Sequence, residues 1–284
     1  GLKSISVDKG NEYLTTDGVA LFSRDGKTLV RMVVPRACYE IPAGCEVVGE
    51  KAFDSVQTLT SVSLPEGLRV IGRLAFAKTS LREVAFPDSL EVVGDKAFFF
   101  CSKLRAANLP RSLRFLGAEA FASSGVESAS LPSSLEEFGA RAFDKTPVRK
   151  SVACGSVTVF PNMGAEGELP RAADAVDTPA TGELRIDRCG GVYQGDTFLE
   201  LFGLMESYHV ASGTTRIAAG ACKRHETLRS ISIPEGVIEV GDDAFRNNRA
   251  LRVIDLPETL QVVGARAFLD TSVPSLRLGP AVRQ

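Results

Sequence analysis

Five arginines each follow an apolar residue. Arg82, Arg105, Arg149, Arg229 and Arg252 come directly after Leu81, Leu104, Val148, Leu228 and Leu251. A guanidinium is a planar fork of donors that fits a carboxylate, so arginines brought into one row could grip the carboxylates of a protein partner or an acidic glycan. The same row also suits a solvated surface, with each arginine shielding a strand edge and pairing with a neighbour such as Glu83 or Glu127. Other chemistry is thin. The two histidines, His209 and His225, lack the Cys or carboxylate spacing of a zinc site. None of the six cysteines (38, 45, 101, 154, 189, 222) forms a C-x-x-C pair. Residues 8–12, DKGNE, and the Gly190-Gly191 pair lack the full calcium-loop and dinucleotide patterns. A Ser/His/Asp or Cys/His set could still meet in space. Each candidate, however, is accounted for by its place in the pattern described next. No catalysis, cofactor or metal is expected.

What must position the arginines is a phrase recurring every 22 or 23 residues: an apolar strand, a proline, a glycine, then Ala-Phe. It is clear at 59–76 (LTSVSLPEGLRVIGRLAF), at 81–98 and at 228–245. Leu59, Val62 and Leu64 make L-x-x-V-x-L, a short strand with its apolar side inward. Pro65 has no N–H for a ladder and ends it. Leu68 and Ile71 return to the interior, Gly72 is expected to turn with positive φ, and Ala75-Phe76 closes the unit. Six or seven apolar residues stabilise a repeat by roughly 1.5–3 kcal/mol each. Ordering the backbone costs roughly 1–2 kcal/mol for every residue. One repeat therefore cannot fold alone, and stacking must supply shared hydrogen bonds and a shared core. A period of this length with Leu-x-x-Ile-x-Leu marks a leucine-rich-repeat solenoid. Substitutions within the frame are core swaps: Cys45 stands in the Leu68 column, Cys222 in the Phe76 column, and Ala211 and Ala218 replace the proline and glycine. Buried free thiols follow for Cys45, Cys101 and Cys222. Cys38–Cys45 is the one pair close enough in sequence to suggest a disulfide, and the redox compartment stays open.

Outward strand positions flank the Val62 column and form the concave face: Ser61 and Ser63, Glu83 and Ala85, Ala106 and Asn108, Ser128 and Ser130, then Ser207 and His209, Ser230 and Ser232, Val253 and Asp255, Ser275 and Arg277. The candidate partner-binding set is the arginine row together with Glu83, Asn108, His209 and Asp255. The face is small and polar, without the Trp and Tyr that dominate hot spots. Phe99 and Phe100 follow the core Phe98; three successive aromatics cannot all point inward, so one is exposed or fills a local gap.

Two repeat blocks flank an irregular stretch. The expected division is 1–154, with a hairpin insertion at about 13–35; 155–183, a linker or degenerate repeat rich in Gly, Ala, Asp and Pro; and 184–284, a second hairpin followed by the second block. Residues 18–34 alternate around Asp25-Gly26, a type I′ turn pair, and 190–203 alternate around Gln194-Gly195. One continuous solenoid is favoured over two solenoid domains joined at 164–183. Net charge is −2, so no bulk attraction to nucleic acid or anionic membrane is expected, and no apolar run could span a bilayer as a helix. Asn-x-Ser/Thr sequons are absent. The chain begins in what matches mid-strand, LKSISV, which suggests that native residues upstream have been cut away and that Gly1 remains from tag removal. Strands are expected at 2–7 and 276–278, with no capping helix, so the native protein is expected to continue beyond an end or to pair end to end.

Leu59, Val62, Leu64, Pro65, Leu68, Ile71, Gly72, Ala75 and Phe76, with copies in at least seven other repeats, resemble the BspA-type leucine-rich repeat family. Cys101, three residues after Phe98, and the hairpin DGVALFSRDGKTLV fit the same resemblance. It covers nearly all of the chain except about 155–183. The expected fold is an α/β repeat solenoid, a right-handed superhelix or horseshoe with a parallel concave sheet, short helical turns and two hairpin insertions. The resemblance implies a bacterial protein, secreted or at the cell surface, some of whose relatives adhere to host matrix or to other cells. It identifies no binding residue. The expected function is a non-catalytic interaction or adhesion module with a protein or glycan partner. The rival reading is a structural spacer that displays another domain.

Overall fold

The computed structural model describes residues 2–132, 134–139, 141–148, 152–154, 157–159, 184–187, 190–202, 205–225 and 227–282. The chain divides into two units, Gly1–Leu169 and Pro170–Gln284. In each, one turn of the solenoid contributes to two parallel ladders.

In the first unit the second ladder is the longer. Val47–Val48, Val70–Ile71, Val92–Val93, Phe115–Leu116 and Glu137–Phe138 pair in parallel, one strand per repeat. The L-x-x-V-x-L segments make the first ladder in two pieces, Cys38–Glu40 with Ser61–Ser63 and Ala106–Asn108 with Ser128–Ser130. Residues 83–85, expected to join them, form no strand. The second unit repeats the plan with Arg216–Ile217, Glu239–Val240 and Val262–Val263 on one ladder, and Ser207–His209, Ser230–Ser232 and Val253–Asp255 on the other. The expected strands at 2–7 and 276–278 are not formed, and Leu2, Leu276 and Leu278 are exposed. Of 155–183, only Val157–Val159 is described, paired antiparallel with Val152–Cys154; the remainder of the expected linker lies outside the described residues.

No helix forms among the described residues, so the parallel-sheet solenoid is present but the expected α/β class and its helical turns are not confirmed. The cause is local. Leu74 and Lys78 both have left-handed φ, 55° and 58°, as do Lys96 and Phe100 in the next repeat. A left-handed residue every four positions cannot sit in a right-handed helix. The arm is instead a series of tight turns closed by Ala75 N–H to Gly72 O, Ala77 N–H to Leu74 O and Thr79 N–H to Phe76 O. Its remaining donors reach the next repeat, as Phe76 N–H does to Ala97 O at 2.8 Å.

Those bonds hold the phenyl rings in a column. Phe53, Phe76, Phe98, Phe121 and Phe143 are fully buried and stack at 4.8, 5.3, 5.0 and 5.2 Å between centroids. Beside them pack Leu59, Leu68, Ile71, Leu81, Leu90 and their equivalents. Gly72 is not a positive-φ residue. A Cβ there would come within 2.9 Å of Val48 O, and at Gly117 within 2.4 Å of Asp95 N. The glycine column thus exists for close stacking of successive turns. Ala218 takes the glycine's place in its repeat, with its N–H bonded to Phe198 O at 2.8 Å.

Each expected hairpin is a three-stranded antiparallel meander. Leu14–Thr16, Ala20–Ser23 and Thr28–Met32 form one, and Leu184–Ile186, Gly191–Gln194 and Thr197–Leu201 the other. The last strand of each joins the second ladder in parallel, Leu29 opposite Val48 and Phe198 opposite Ile217. Gly26 has positive φ but Asp25 does not, so this turn is not type I′. A carboxylate latches each meander to the first ladder. Asp17 Oδ1 accepts from the Val19 and Ala20 N–H groups, and Oδ2 accepts from the Tyr39 hydroxyl at 2.5 Å. Asp187 does the same with the Gly191 N–H and the Tyr208 hydroxyl at 2.6 Å. Tyr39 and Tyr208 both occupy the Val62 column. Burial opposes charge on Asp17, but hydrogen bonds from Ala20, Tyr39 and Val19 outweigh it and hold the carboxyl below its ordinary range. Burial, then the bond to Asp17, push the Tyr39 hydroxyl well up.

Candidate functional site

Strand alternation builds the outward face. In the second unit Tyr208 and Ile231 are buried and Ile254 is half-buried, which sends Ser207 and His209, Ser230 and Ser232, Val253 and Asp255 outward. Ser207, His209, Val253 and Asp255 are exposed, and Ser230 and Ser232 are half-buried. In the first unit Ser61, Ser63, Asn108, Ser128 and Ser130 are exposed, with Ser130 Oγ donating to Asn108 Oδ1 at 3.5 Å. Glu83 is exposed but stands between the two pieces of ladder, on no strand. Three residues of hydrolytic type share one row: His209 pairs with Ser232, and Ser232 with Asp255. The serine lies between the other two, whereas a triad needs the histidine there, bonded to both. Among the described residues no three His, Cys, Asp or Glu side chains gather where they could hold a metal ion.

Within each unit two of the arginines stand on successive turns. Arg105 N–H donates to Arg82 O at 3.3 Å and Arg252 N–H to Arg229 O at 2.8 Å, which sets each pair on successive turns. Arg149 lies outside the described residues. The row supplies some of its own counter-charge: Arg105 meets Glu127 at 2.9 Å and Arg229 meets Glu206 at 3.4 Å. All four of these side chains are more than 60% exposed, so each pair contributes about 0–1 kcal/mol. Arg82 and Arg252 are exposed and make no ion pair among the described residues.

A second charged row was missed in the sequence. Lys27, Glu46, Arg69, Glu91, Arg114 and Glu136 alternate in sign along the second ladder. Lys27 meets Glu46 at 2.8 Å, Arg69 meets Glu91 at 2.5 Å, and Arg114 lies 3.6 Å from Glu91 and 2.7 Å from Glu136. The hydrogen bond from Arg114 to Glu136 holds this guanidinium above its ordinary pKa against partial burial. The signal was present: the residue before each second-ladder strand runs Glu, Arg, Glu, Arg, Glu from 46 to 136. In the second unit Asp243 gathers Arg266, Lys223 and Arg246 at 2.9, 3.0 and 3.4 Å. Hydrogen bonds from Arg266 and Lys223 hold it well below the usual carboxylate range.

Cys38 is exposed on the first-ladder face, and Cys45, Cys101 and Cys222 are buried; all four are free, so the Cys38–Cys45 disulfide is not formed. Burial pushes the thiols of Cys45 and Cys101 up to about 11 and that of Cys222 higher still. Cys101 Sγ lies 3.1 Å from Phe76 O and 3.3 Å from Thr79 Oγ1.

The family described as BspA type leucine rich repeat region matches residues 38–149 and 206–284, in six copies. The chain belongs to the BspA-type leucine-rich repeat family. Among solved structures, this BspA-type chain is similar to the pneumococcal vaccine antigen PcpA, at 19% identity over 98% of this chain and 75% of that one, with a TM-score of 0.41. It is similar to a leucine-rich repeat protein of T. pallidum, at 20% identity over 95% of this chain and 92% of that one, TM-score 0.41. It is also similar to a leucine-rich cell surface protein of Faecalibacterium prausnitzii, at 16% identity over 97% and 85%, TM-score 0.35. Comparison with curated proteins gives no match.

Proposed function

We propose that the chain is a non-catalytic interaction module of a secreted or cell-surface bacterial protein, holding a macromolecular partner across its first-ladder face. Membership of the BspA-type family supports the class. One observation carries the choice of surface: outward residues of three in-register strands, Ser207, His209, Val253 and Asp255 among them, face solvent beside the unpaired Arg252. A flat face of this kind suits a broad partner held by many modest contacts, with Val253, 52% exposed on the last strand, as its apolar contact.

Surface plasmon resonance against immobilised matrix proteins and microbial cell-wall fractions tests the reading. The variant His209→Ala/Val253→Ser/Asp255→Ala should lose binding at an unchanged melting temperature, because none of the three side chains is buried. Retained binding would refute the choice of face. The spacer reading draws support from the ion pairs Arg105–Glu127 and Arg229–Glu206, which occupy part of the row without any partner. Self-association is proposed at the last repeat. Ile254, Leu256, Val263 and Phe268 are half-exposed there, whereas Ile231, Ile233, Val240 and Phe245 are buried one repeat earlier. Light scattering over a concentration series decides that point.

A further inference from the structure

One turn position in every repeat, two residues after the core aromatic or its replacement, has left-handed φ. It is held by Ser55, Lys78, Phe100, Ser123, Lys145, Arg224, Asn247 and Asp270, with φ between 55° and 64°. Seven of the eight are polar, as suits an exposed position in a region that bulky residues avoid. Phe100 is the exception. Its ring meets the edge of Phe99 at 4.6 Å, yet the residue remains 52% exposed. Burial therefore returns little for placing an aromatic side chain in an unfavourable backbone region, and strain kept without a packing return points to use.

The surroundings indicate the use. Phe100 forms one wall of an open depression of about 400 Å³, otherwise lined by Gln57, Lys78, Thr79, Ser80 and Ser102. Lys78 is on the adjacent turn, its N–H bonded to Phe99 O at 2.8 Å. Lys78 and Lys103, the latter next to Ser102 in the chain, are exposed and make no ion pair among the described residues. The site thus combines one open aromatic face, the Gln57 amide and the Ser80 and Ser102 hydroxyls beside it, and an ammonium with no ion pair among the described residues; the buried Thr79 hydroxyl is already donated to Phe76 O at 2.9 Å. The face of a pyranose ring carries C–H groups that pack on an aromatic ring, and its rim carries hydroxyls that need such polar partners. A carboxylate on the sugar would complement Lys78. Ser80 and Ser102 offer hydroxyls and Gln57 an amide to such a rim.

We infer that the depression beside Phe100 is a binding site for a carboxylated oligosaccharide, with Phe100 as stacking platform and Lys78 as the carboxylate partner. This goes beyond the first-ladder reading and lies on other side chains, so the two stand or fall separately. The test is calorimetric titration with hyaluronan hexasaccharide, with neutral chitohexaose and a Glu-rich peptide as comparisons. The hexasaccharide should bind, and more weakly as salt rises from about 50 to 300 mM. Phe100→Asn should weaken binding about tenfold or more while leaving the melting temperature unchanged or raised, since Asn tolerates this φ. Lys78→Gln should weaken binding about threefold to tenfold and reduce the salt dependence. The ladder variant His209→Ala/Val253→Ser/Asp255→Ala should bind the sugar as the parent does. Four results would each overturn the inference: no hexasaccharide binding at millimolar concentration, equal binding of chitohexaose, preference for the peptide, or a melting temperature lowered by several degrees in Phe100→Asn.

Discussion

Replacing Phe76 by alanine isolates the interaction on which the repeat frame rests. The ring is fully buried, with Phe53 at 4.8 Å on one side and Phe98 at 5.3 Å on the other. Truncating a core phenylalanine costs about 3–5 kcal/mol. Within that, two stacked neighbours account for about 1–3 kcal/mol. The gap cannot close readily, because the backbone pins each ring: Phe53 N–H to Ala75 O at 2.7 Å and Phe76 N–H to Ala97 O at 2.8 Å. The expected loss is therefore at the upper end, about 4–5 kcal/mol. Phe268 provides the control. It is half-buried with one stacked neighbour, Phe245 at 5.5 Å, and should cost about 2 kcal/mol. Guanidinium unfolding followed by circular dichroism, read from the transition of the unit that holds the residue, gives both numbers. A loss below about 1 kcal/mol at Phe76, or equal losses at the two sites, would refute the argument that a pinned stack sets the stability of the repeats.

Arg82→Ala/Arg105→Ala should weaken adhesion with little change in melting temperature, since Arg82 is unpaired among the described residues and the Arg105–Glu127 pair is exposed; unchanged adhesion in a cell-binding assay returns the row to a solvated surface. Asp17 has a folded pKa below its unfolded value, so its stabilisation is present above about pH 4 and is lost as pH falls through the folded value. Thermal melts between about pH 5 and 2 should therefore be flatter for Asp17→Asn than for the parent. Tyr39→Phe should cost about 1–3 kcal/mol by removing the hydroxyl that meets Asp17. Of Cys38, Cys45, Cys101 and Cys222, only Cys38 should react with a thiol reagent in the native state, as the buried Cys45, Cys101 and Cys222 have both low access and raised pKa.

What was legible in the sequence was what periodicity encodes. The inward columns of Leu59, Val62, Leu68, Ile71 and Phe76, the prolines that stop the strands and the places of both meanders follow from spacing alone, because each buried position recurs at one depth in every turn. The arm was not legible. G-R-L-A-F at 72–76 would pass for a short helical turn, and only backbone geometry shows Leu74 and Lys78 in the left-handed region. The reason for Gly72 was misjudged for the same cause: a required glycine looks alike in sequence whether φ or a neighbouring carbonyl demands it. The Asp17–Tyr39 latch joins a meander turn to the first ladder; the two residues lie one repeat length apart, but Asp17 stands outside the repeat phrase, so its partner could not be read from the columns. The alternating row from Lys27 to Glu136 could have been seen, but the arginines after the first leucine drew attention to a different column.

Those two rows divide the surface between stacking and recognition. On the second ladder, signs alternate turn by turn, so each guanidinium or ammonium already faces a carboxylate within 2.8 Å. A displacement by one turn would oppose Glu46 to Glu91 and Arg69 to Arg114, which is unfavourable, so this row reinforces register. A partner reaching it would have to displace formed ion pairs and would gain little net charge attraction. Charges left over elsewhere include Arg82 and Arg252 beside the first ladder, and Lys78 and Lys103 near Phe100, all exposed and unpaired among the described residues. With a net charge of only −2 over the chain, long-range steering is weak, and the proposed recognition rests on these local cations and the groups beside them. Their two settings differ in kind. The arginines border a flat row of hydroxyls suited to an extended partner, and the lysines border one aromatic wall suited to a small ring.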